Sequence, residues 1–164
     1  MSKETVYQGR ILTLEVEDGM WELVRHAPAV VVLALRDGKM LLVGQERRAI
    51  GARTLEAPAG LREPGETPER AARRELGEEA SLDGDFSLVS RFYSSPGFCD
   101  EELHLFLVEN LRAGVGERDE DEQDMTITWM EPQVFLSAVR EGRVLTSAPT
   151  VAAALHATGL LASC

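Results

Sequence analysis

The most informative segment of the chain is GLREPGETPERAARRELGEEASL, residues 60–82. Within it, Thr67-Pro68 predicts the start of a helix, because threonine is a favoured N-cap and proline fits the first helical position. Glu75, Glu78 and Glu79 follow at spacings of i, i+3 and i+4, which places their three carboxylates on one face of that helix. The segment therefore predicts a helix with a concentrated acidic face.

An acidic face of this density needs a compensating cation if it is partly enclosed. Two unit charges ~6 Å apart repel each other by about 0.7 kcal/mol in water, and by roughly 2.8 kcal/mol at an effective dielectric constant of ~20. Ligand sets made only of oxygen favour hard ions, so the pattern indicates Mg²⁺ or Mn²⁺. The alternative is a charged helix face that is simply solvated.

The fixed positions of this segment also carry a family resemblance. Gly60 is followed after five residues by Glu66 and, after seven more, by the run Arg74-Glu75-Leu76-x-Glu78-Glu79-x-x-Leu82. This spacing resembles the signature of the Nudix hydrolases, which cleave nucleoside diphosphates linked to another moiety. Eight of the nine fixed positions agree; the exception is Ser81, where the family usually has the glycine that ends the helix. The match favours the family over a solvated acidic face and leaves the geometry of the helix end open.

Length, charge and composition narrow the classes of function. At 164 residues the chain is most simply one domain, 1–164, with a core of its own. No apolar run approaches the ~20 residues of a membrane span, and the segment MSKETVYQGR lacks the apolar stretch of a signal peptide. We therefore expect a cytoplasmic protein that binds no membrane. A net charge of −11 argues against nucleic acid as a partner and leaves room for a small phosphorylated ligand.

Apolar runs and turn residues predict the order of the elements. Strands are expected at Val6–Val16, Trp21–Arg25, Ala29–Leu35, Lys39–Val43, Leu55–Ala57, Phe86–Tyr93, Leu103–Val108 and Met125–Met130. Pro132 and Pro149 each predict a further helix, ending near Arg140 and Ala157. Strands mixed with a few helices, without strict alternation, indicate an α+β fold. The family resemblance implies more specifically an α/β/α sandwich around a central mixed β-sheet.

Several patterns outside the acidic helix are similar to the ADP-ribose pyrophosphatase branch of that family. They are Gln45-x-Arg47, Leu55-Glu56-x-Pro58-Ala59-Gly60, Ser95-Pro96-Gly97-Phe98-x-Asp100-Glu101, and an acidic loop before Trp129. The resemblance implies metal-dependent hydrolysis of a diphosphate bridge, with ADP-ribose yielding AMP and ribose 5-phosphate. Another nucleoside diphosphate, such as a nucleotide sugar or a dinucleotide, is the nearest alternative. A nucleotide-sensing module without activity is less consistent with a chain that keeps every glutamate of the signature.

The resemblance implies a role for particular residues. The metal ligands would be the carbonyl of Ala59 and the catalytic carboxylates of Glu75, Glu78 and Glu79. Two residues would support them: Glu66 beside the cluster, and Arg74, which lies at i, i+4 to Glu78 and orients the acidic face through an ion pair. The substrate contacts would be Arg47 on the diphosphate and Ser95 to Glu101 on the side of the terminal ribose. For Arg47 an exposed hairpin end is the alternative, and for Ser95 to Glu101 an ordinary surface loop.

For the acidic loop GERDEDEQD, residues 116–124, the resemblance implies a glutamate that acts as general base or helps to position the attacking water. Gln123 stands where the branch would have a glutamate, counting back from Trp129. Glu122 or Glu120 would take that role after a small shift in register. A solvated loop without a catalytic part is an equal alternative for any one of these residues.

The N-terminal residues 1–28 are apolar and extended, without an evident core of their own. Members of the branch exchange such strands, and an uncovered edge pairs readily with another chain, so a homodimer is expected. Trp21, Tyr7 and Phe98 are candidates for stacking on adenine, with packing as the usual alternative. His26 and His104 are expected to be structural, and the three scattered histidines of the chain make no metal-ligand cluster.

Overall fold

A computed structural model of the chain describes residues 2–116 and 124–162, with side chains described as far as residue 159. A small antiparallel sheet is formed by β1 (Lys3–Gln8), β2 (Leu12–Glu17) and β3 (Trp21–His26). The single strand predicted for Val6–Val16 is wrong, because the chain reverses at Gly9, whose N–H donates to the carbonyl of Leu12 over 2.9 Å. The turn predicted at Asp18-Gly19 is present, and both of its residues have positive φ.

The central sheet has seven strands: β4 (Ala29–Arg36), β5 (Lys39–Arg47), β6 (Ala52–Glu56), β7 (Ala59–Leu61), β8 (Leu82–Tyr93), β9 (Glu102–Ala113) and β10 (Thr126–Met130). Their order is β10-β5-β4-β9-β8, with β6 paired to β5 and β7 paired to β4. The β4–β9 pair is parallel and the other pairs are antiparallel, so the sheet is mixed. The short strand β7 is absent from the prediction, which placed a loop at Gly60.

Three helices cover the two faces of this sheet: α1 (Pro68–Ala80), α2 (Pro132–Arg140) and α3 (Ala148–Ala162). Alternate residues of β4 point to opposite faces, as the period of two in a strand requires. Val30 and Val32 pack with Ala72 and Leu76 of α1, whereas the other face of β4 packs with Phe135 of α2 and with the alanines of α3. The expected α/β/α sandwich is therefore confirmed. Within the described residues, no helix is long and apolar enough to cross a membrane.

A split between β4 and β5 creates the space for the site. The two strands pair only beside their turn at Asp37-Gly38, at Leu35–Met40 and Arg36–Lys39. Farther from the turn, β7 pairs along β4, and β6 pairs along β5. Because β6 and β7 are joined only by Ala57 and Pro58, the chain crosses this split directly before Ala59. The end of the split therefore brings residues of β5, β6 and β7 next to one another.

Ser81, the one departure from the family signature, ends α1 in the left-handed conformation. Its φ is 54° and its ψ is 38°, and its N–H donates to the carbonyl of Gly77 over 2.8 Å. A serine in this conformation places its Cβ close to a carbonyl oxygen, a contact that glycine does not have. The helix end thus has the geometry of a glycine cap without the glycine.

The variant Ser81→Gly is accordingly expected to be more stable than the native chain. Glycine removes the strain of the left-handed conformation in the folded chain, but it also adds conformational entropy to the unfolded chain. The net gain in the free energy of unfolding is roughly 0.5–1 kcal/mol. This raises Tm by about 1–4 °C in a chain of this length. Thermal unfolding checks it. Ser87→Gly, at an exposed position of β8 without positive φ, is the control and should lower Tm. A Ser81→Gly variant that unfolds earlier than the native chain would contradict the strain argument.

Candidate active site

The acidic face of α1 is turned inward, toward β7. Thr67 caps the helix by accepting a hydrogen bond from the N–H of Arg70. Glu75 and Glu79 are 5% and 2% exposed, while Glu78, on the same face, is half-buried. A carboxylate buried to this degree keeps its charge only with partners or a cation beside it.

Gly60 of β7 faces the Glu75 carboxyl group at very short range. A Cβ built on Gly60 would lie 2.1 Å from both Cδ and Oε1 of Glu75, well inside any allowed contact. The φ of Gly60 is not in the left-handed region, so its backbone geometry does not itself require glycine. The glycine is instead required by space, because it makes room for a carboxylate of the acidic face.

Arg74 lies at the centre of the cluster and binds three carboxylates. Its guanidinium donates to Glu75 over 2.7 Å, to Glu78 over 2.9 Å and to both oxygens of Glu66 over 3.2 Å. It also donates to the carbonyl of Leu61 over 2.8 Å. Burial alone would lower the pKa of Arg74, but Glu66 and Glu75 outweigh that effect and raise it. The side chain therefore stays charged and ties α1 to the end of β7.

Glu66 is fixed by the same arginine and by its own loop. Burial by itself would raise the pKa of Glu66, but the hydrogen bonds from Arg74 and from the N–H of Glu63 hold it below its usual range. Glu66 thus keeps its charge beside the acidic face, and its two oxygens are occupied by Arg74. This places it beside the expected metal ligands, in contact with the arginine that orients them.

A second arginine, Arg47 at the end of β5, lies on the wall of the same cleft as the cluster. Its Nε and Nη2 donate to the two oxygens of Glu56 over 2.9 and 3.0 Å, a bidentate pair. Glu56 is 4% exposed and also accepts the hydroxyl of Thr54 over 2.6 Å. The Glu56 carboxylate, and to a smaller extent that of Glu79, raises the pKa of Arg47. Arg47 is thus a fixed cation facing the acidic helix.

These side chains line one cleft of about 370 Å³. Its wall is formed by Gln45, Arg47, Ala59, Gly60, Leu61, Glu63, Arg74, Glu75, Glu78, Glu79 and Met125. A second cavity, of about 410 Å³, shares Arg47 and the three residues of β7 with the first. Its wall continues through His26, Ser94, Glu101, Leu103, Ser147 and Thr150. The two adjoining cavities are together called the channel; the first is rich in carboxylates, and the second combines charged, hydroxyl and apolar groups.

The first cavity has the donor chemistry of a site for a hard divalent cation. The carboxylates of Glu75, Glu78 and Glu79 and the backbone of Ala59 offer oxygen atoms only. Around them, five buried or half-buried carboxylates face two guanidinium groups, which leaves an excess of negative charge. Among the described residues, no three acidic, histidine or cysteine side chains form a closed cage for an ion. Arg74 lies between them instead, so a bound ion would take over part of its contacts.

The segment from Ser95 to Glu101 is attached to the N-terminal sheet. The N–H of Val24 donates to the carbonyl of Phe98 over 2.7 Å, and Asp100 accepts the N–H of His26 over 2.8 Å. This attachment places Glu101 on the wall of the second cavity, 3.4 Å from the imidazole of His26. Ser94 lines the same wall, whereas the carbonyl of Ser95 accepts the turn hydrogen bonds of Phe98 and Cys99.

Some of the expected residues lie apart from this channel or outside the described part of the chain. Trp21, at the start of β3, is 57% exposed and belongs to neither cavity wall. Glu120, Glu122 and Gln123 lie outside the described residues. Arg53, on β6, donates to the carbonyls of Gly44 and Asp124 and to the hydroxyl of Thr126 rather than lining the cleft.

The structure also adds residues that the sequence patterns did not single out as functional. Ser147 and Thr150, at the start of α3, lie on the second cavity wall, and so does His26, for which only a structural role was expected. Glu56 belongs to one of the patterns similar to the family, which by itself indicates no role for it. The spacing of these residues in the sequence does not indicate a shared site, because they come from segments about a hundred residues apart.

Comparisons with known proteins agree with this geometry. Residues 25–151 match the family model described as NUDIX domain. The chain is 39% identical over 134 residues to the ADP-ribose pyrophosphatase of Bacillus subtilis (strain 168), covering 76% of this chain and 72% of that protein. It is 35% identical over 131 residues to the methanol dehydrogenase activator of Bacillus methanolicus, covering 73% and 71%. A crystal structure of an ADP compounds hydrolase superposes with a TM-score of 0.81 at 20% identity, covering 99% of this chain and 93% of that one, which shows the shared fold.

Proposed function

The chain belongs to the Nudix hydrolase family, and from that premise we propose that it hydrolyses the diphosphate bridge of ADP-ribose to give AMP and ribose 5-phosphate. The observation that carries the proposal is the cleft whose wall combines the acidic helix face with Arg47. A diphosphate needs cationic partners on both sides, and here one side is an arginine and the other an oxygen-lined ion site. The relative from B. subtilis, named for this activity, supports the choice of substrate.

The residues of the first cavity would each have a defined part in the reaction. Ala59, Glu75, Glu78 and Glu79 would hold divalent ions, Mg²⁺ or Mn²⁺, and Arg47 would bind a phosphate oxygen. When bound, such ions supply Lewis-acid stabilisation and lower the pKa of water. Water would add to one phosphorus, the bond to the bridging oxygen would break, and the bridging oxygen would leave with the other phosphate. Arg74 and Glu66 would keep the acidic face in place.

The second cavity suits the sugar end of such a substrate. Its wall combines Glu101, Ser94 and His26, which can bind hydroxyl groups, with apolar contacts from Leu103. A ribose offers several hydroxyl groups and one apolar edge, and the cavity shares Arg47 with the phosphate end. The substrate would therefore run along the channel with its diphosphate beside Arg47 and its terminal sugar near Glu101.

A hydrolysis screen tests the proposed function. ADP-ribose, a nucleotide sugar, NADH and a diadenosine polyphosphate are compared in the presence of Mg²⁺ or Mn²⁺, with products identified by chromatography. We expect the highest kcat/KM for ADP-ribose, and no turnover in excess chelator. A nucleotide sugar or diadenosine polyphosphate favoured tenfold, about 1.4 kcal/mol of transition-state preference, would contradict the substrate. Binding of nucleotides without hydrolysis of any would indicate a sensing module instead.

The general base stays a prediction, assigned to Glu122 or Glu120. If one of them accepts the proton of the attacking water, its change to glutamine lowers the rate by about 10²–10⁴. The two single variants and the double variant are compared at saturating substrate. Full activity of all three would mean that the metal ions activate the water without a loop base.

The N-terminal sheet is proposed to form a homodimer, in which Trp21 would contact the adenine bound by the partner subunit. Several large apolar side chains of this sheet are exposed in the single chain: Val6, Tyr7, Met20 and Trp21. Sedimentation should therefore give a dimer at micromolar concentration. A monomer would contradict this arrangement and would remove the reason for placing Trp21 at the base. A cytoplasmic location likewise stays a prediction of the sequence.

A further inference from the structure

We propose that Glu56 positions Arg47 for the diphosphate, and that Thr54 acts through Glu56. The inference rests on the proposed function, because it concerns the arginine expected to bind the phosphates. Glu56 and Thr54 lie on β6, and Arg47 lies on β5. The three residues therefore join two neighbouring strands where the two cavities meet.

The Glu56 carboxylate accepts three hydrogen bonds. It accepts two from Arg47, over 2.9 and 3.0 Å, and one from the hydroxyl of Thr54 over 2.6 Å. A carboxylate offers about four lone-pair sites, so most of them are used. Both oxygens are thus held, and the buried carboxylate has one orientation rather than several.

The start of α3 lies on the same cavity wall as Glu56. The hydroxyls of Ser147 and Thr150 share a hydrogen bond of 2.9 Å, in which either can be the donor. The hydroxyl of Thr150 accepts the N–H of Ala57 over 3.0 Å. Thr150 is 1% exposed, so a hydroxyl there without these partners would be costly. Thr150 thus anchors the β6–β7 connection directly after Glu56.

The bidentate pair sets which edge of Arg47 is offered to a ligand. A guanidinium has five N–H donors in one plane, and Glu56 takes the Nε hydrogen and one Nη2 hydrogen. The end-on fork, made of one hydrogen from each Nη, then points away from Glu56. This fork is the geometry that binds two phosphate oxygens at once. Fixing the plane of the guanidinium before the substrate arrives reduces the entropy lost on binding.

An ion pair with a purely structural role would show the same hydrogen bonds. The experiment therefore measures how the effect of changing Glu56 depends on Arg47. Glu56→Gln, Arg47→Gln and the double variant are compared by kcat and KM for ADP-ribose with Mg²⁺. We expect Arg47→Gln and Glu56→Gln each to raise KM about tenfold with a smaller change in kcat, since both remove binding that is uniform through the reaction. The double variant should be no worse than Arg47→Gln alone, because Glu56 then has nothing to position.

A second set of variants removes one hydrogen bond without changing charge. Thr54→Val should raise KM severalfold, whereas Thr54→Ser, which keeps the hydroxyl, should not. Thr128→Val, a half-buried threonine on the strand across β5 from β6, is the control for the change from threonine to valine. NMR of the Arg47 Nε–H gives a readout apart from activity: slow proton exchange in the native chain, and fast exchange in Glu56→Gln.

The outcomes separate this inference from the proposed function. The inference would be overturned if Glu56→Gln changed KM by the same factor with and without Arg47. An unchanged KM in Arg47→Gln would overturn it too. So would an unchanged rate of Nε–H exchange in Glu56→Gln. Each of these results leaves the hydrolysis of ADP-ribose standing. If the native chain prefers another nucleoside diphosphate, the substrate proposal fails, and the same comparison on that substrate still decides the role of Glu56.

Discussion

Changing Glu79 to glutamine is expected to lower kcat by about 10³-fold or more, the upper end of what one preorganised electrostatic group supplies. This equals about 4 kcal/mol of transition-state stabilisation. Glu79 is 2% exposed on the inner face of α1, and its charge contributes to the raised pKa of Arg47 in the same cleft. Glutamine keeps the shape of the side chain and removes the charge that a divalent ion requires, so chemistry is lost while the helix stays in place.

The measurement is steady-state turnover of ADP-ribose with Mg²⁺, together with equilibrium unfolding. Glu69→Gln, on the exposed side of the same helix, is the matched control and should keep native kcat. The free energy of unfolding of the Glu79 variant should stay within about 1 kcal/mol of the native value, as for other conservative changes that keep packing. Native turnover by Glu79→Gln, or by the unmodified chain in excess chelator, would contradict the assignment of the acidic face.

Replacing Gly60 with alanine is expected to lower kcat/KM by about 10²-fold with little loss of stability. The new Cβ would meet the Glu75 carboxyl group at 2.1 Å, and the side chain of Glu75 is the part that can move. A catalytic group displaced by about 1 Å costs this order of rate. The backbone at Gly60 has no positive φ, so alanine adds no strain of its own there.

A double-variant comparison tells whether Glu75 carries the effect. In a Glu75→Gln background, Gly60→Ala should cost far less than in the native chain, because the displaced carboxylate has already been removed. Gly159→Ala is the control, since a Cβ at that helical position meets no atom within 4 Å. If Gly60→Ala lowers kcat/KM by the same factor in both backgrounds, the glycine is required by the backbone of β7 and not by the Glu75 carboxylate.

The sequence predicted the features of the site that are local in the chain. Thr67, Pro68 and the glutamate spacing predict where α1 begins and which residues share its face, because helix geometry depends only on residues three and four apart. The apolar runs predict most strands of the central sheet for the same reason. The merged strand at the N-terminus was wrong because a single glycine, Gly9, reverses the chain inside an otherwise strand-like pattern.

The acidic helix, the order of most elements and, through the spacing of its signature, the family can thus be predicted from the residues alone. The space that Gly60 leaves for Glu75, the pairing of Glu56 with Arg47 and the hydrogen bond between Ala57 and Thr150 arise only in the folded chain. These contacts join residues from β5, β6, β7, α1 and the start of α3. They depend on strand pairing across the split sheet and on the docking of α3, and no local periodicity encodes which distant side chains such packing brings together.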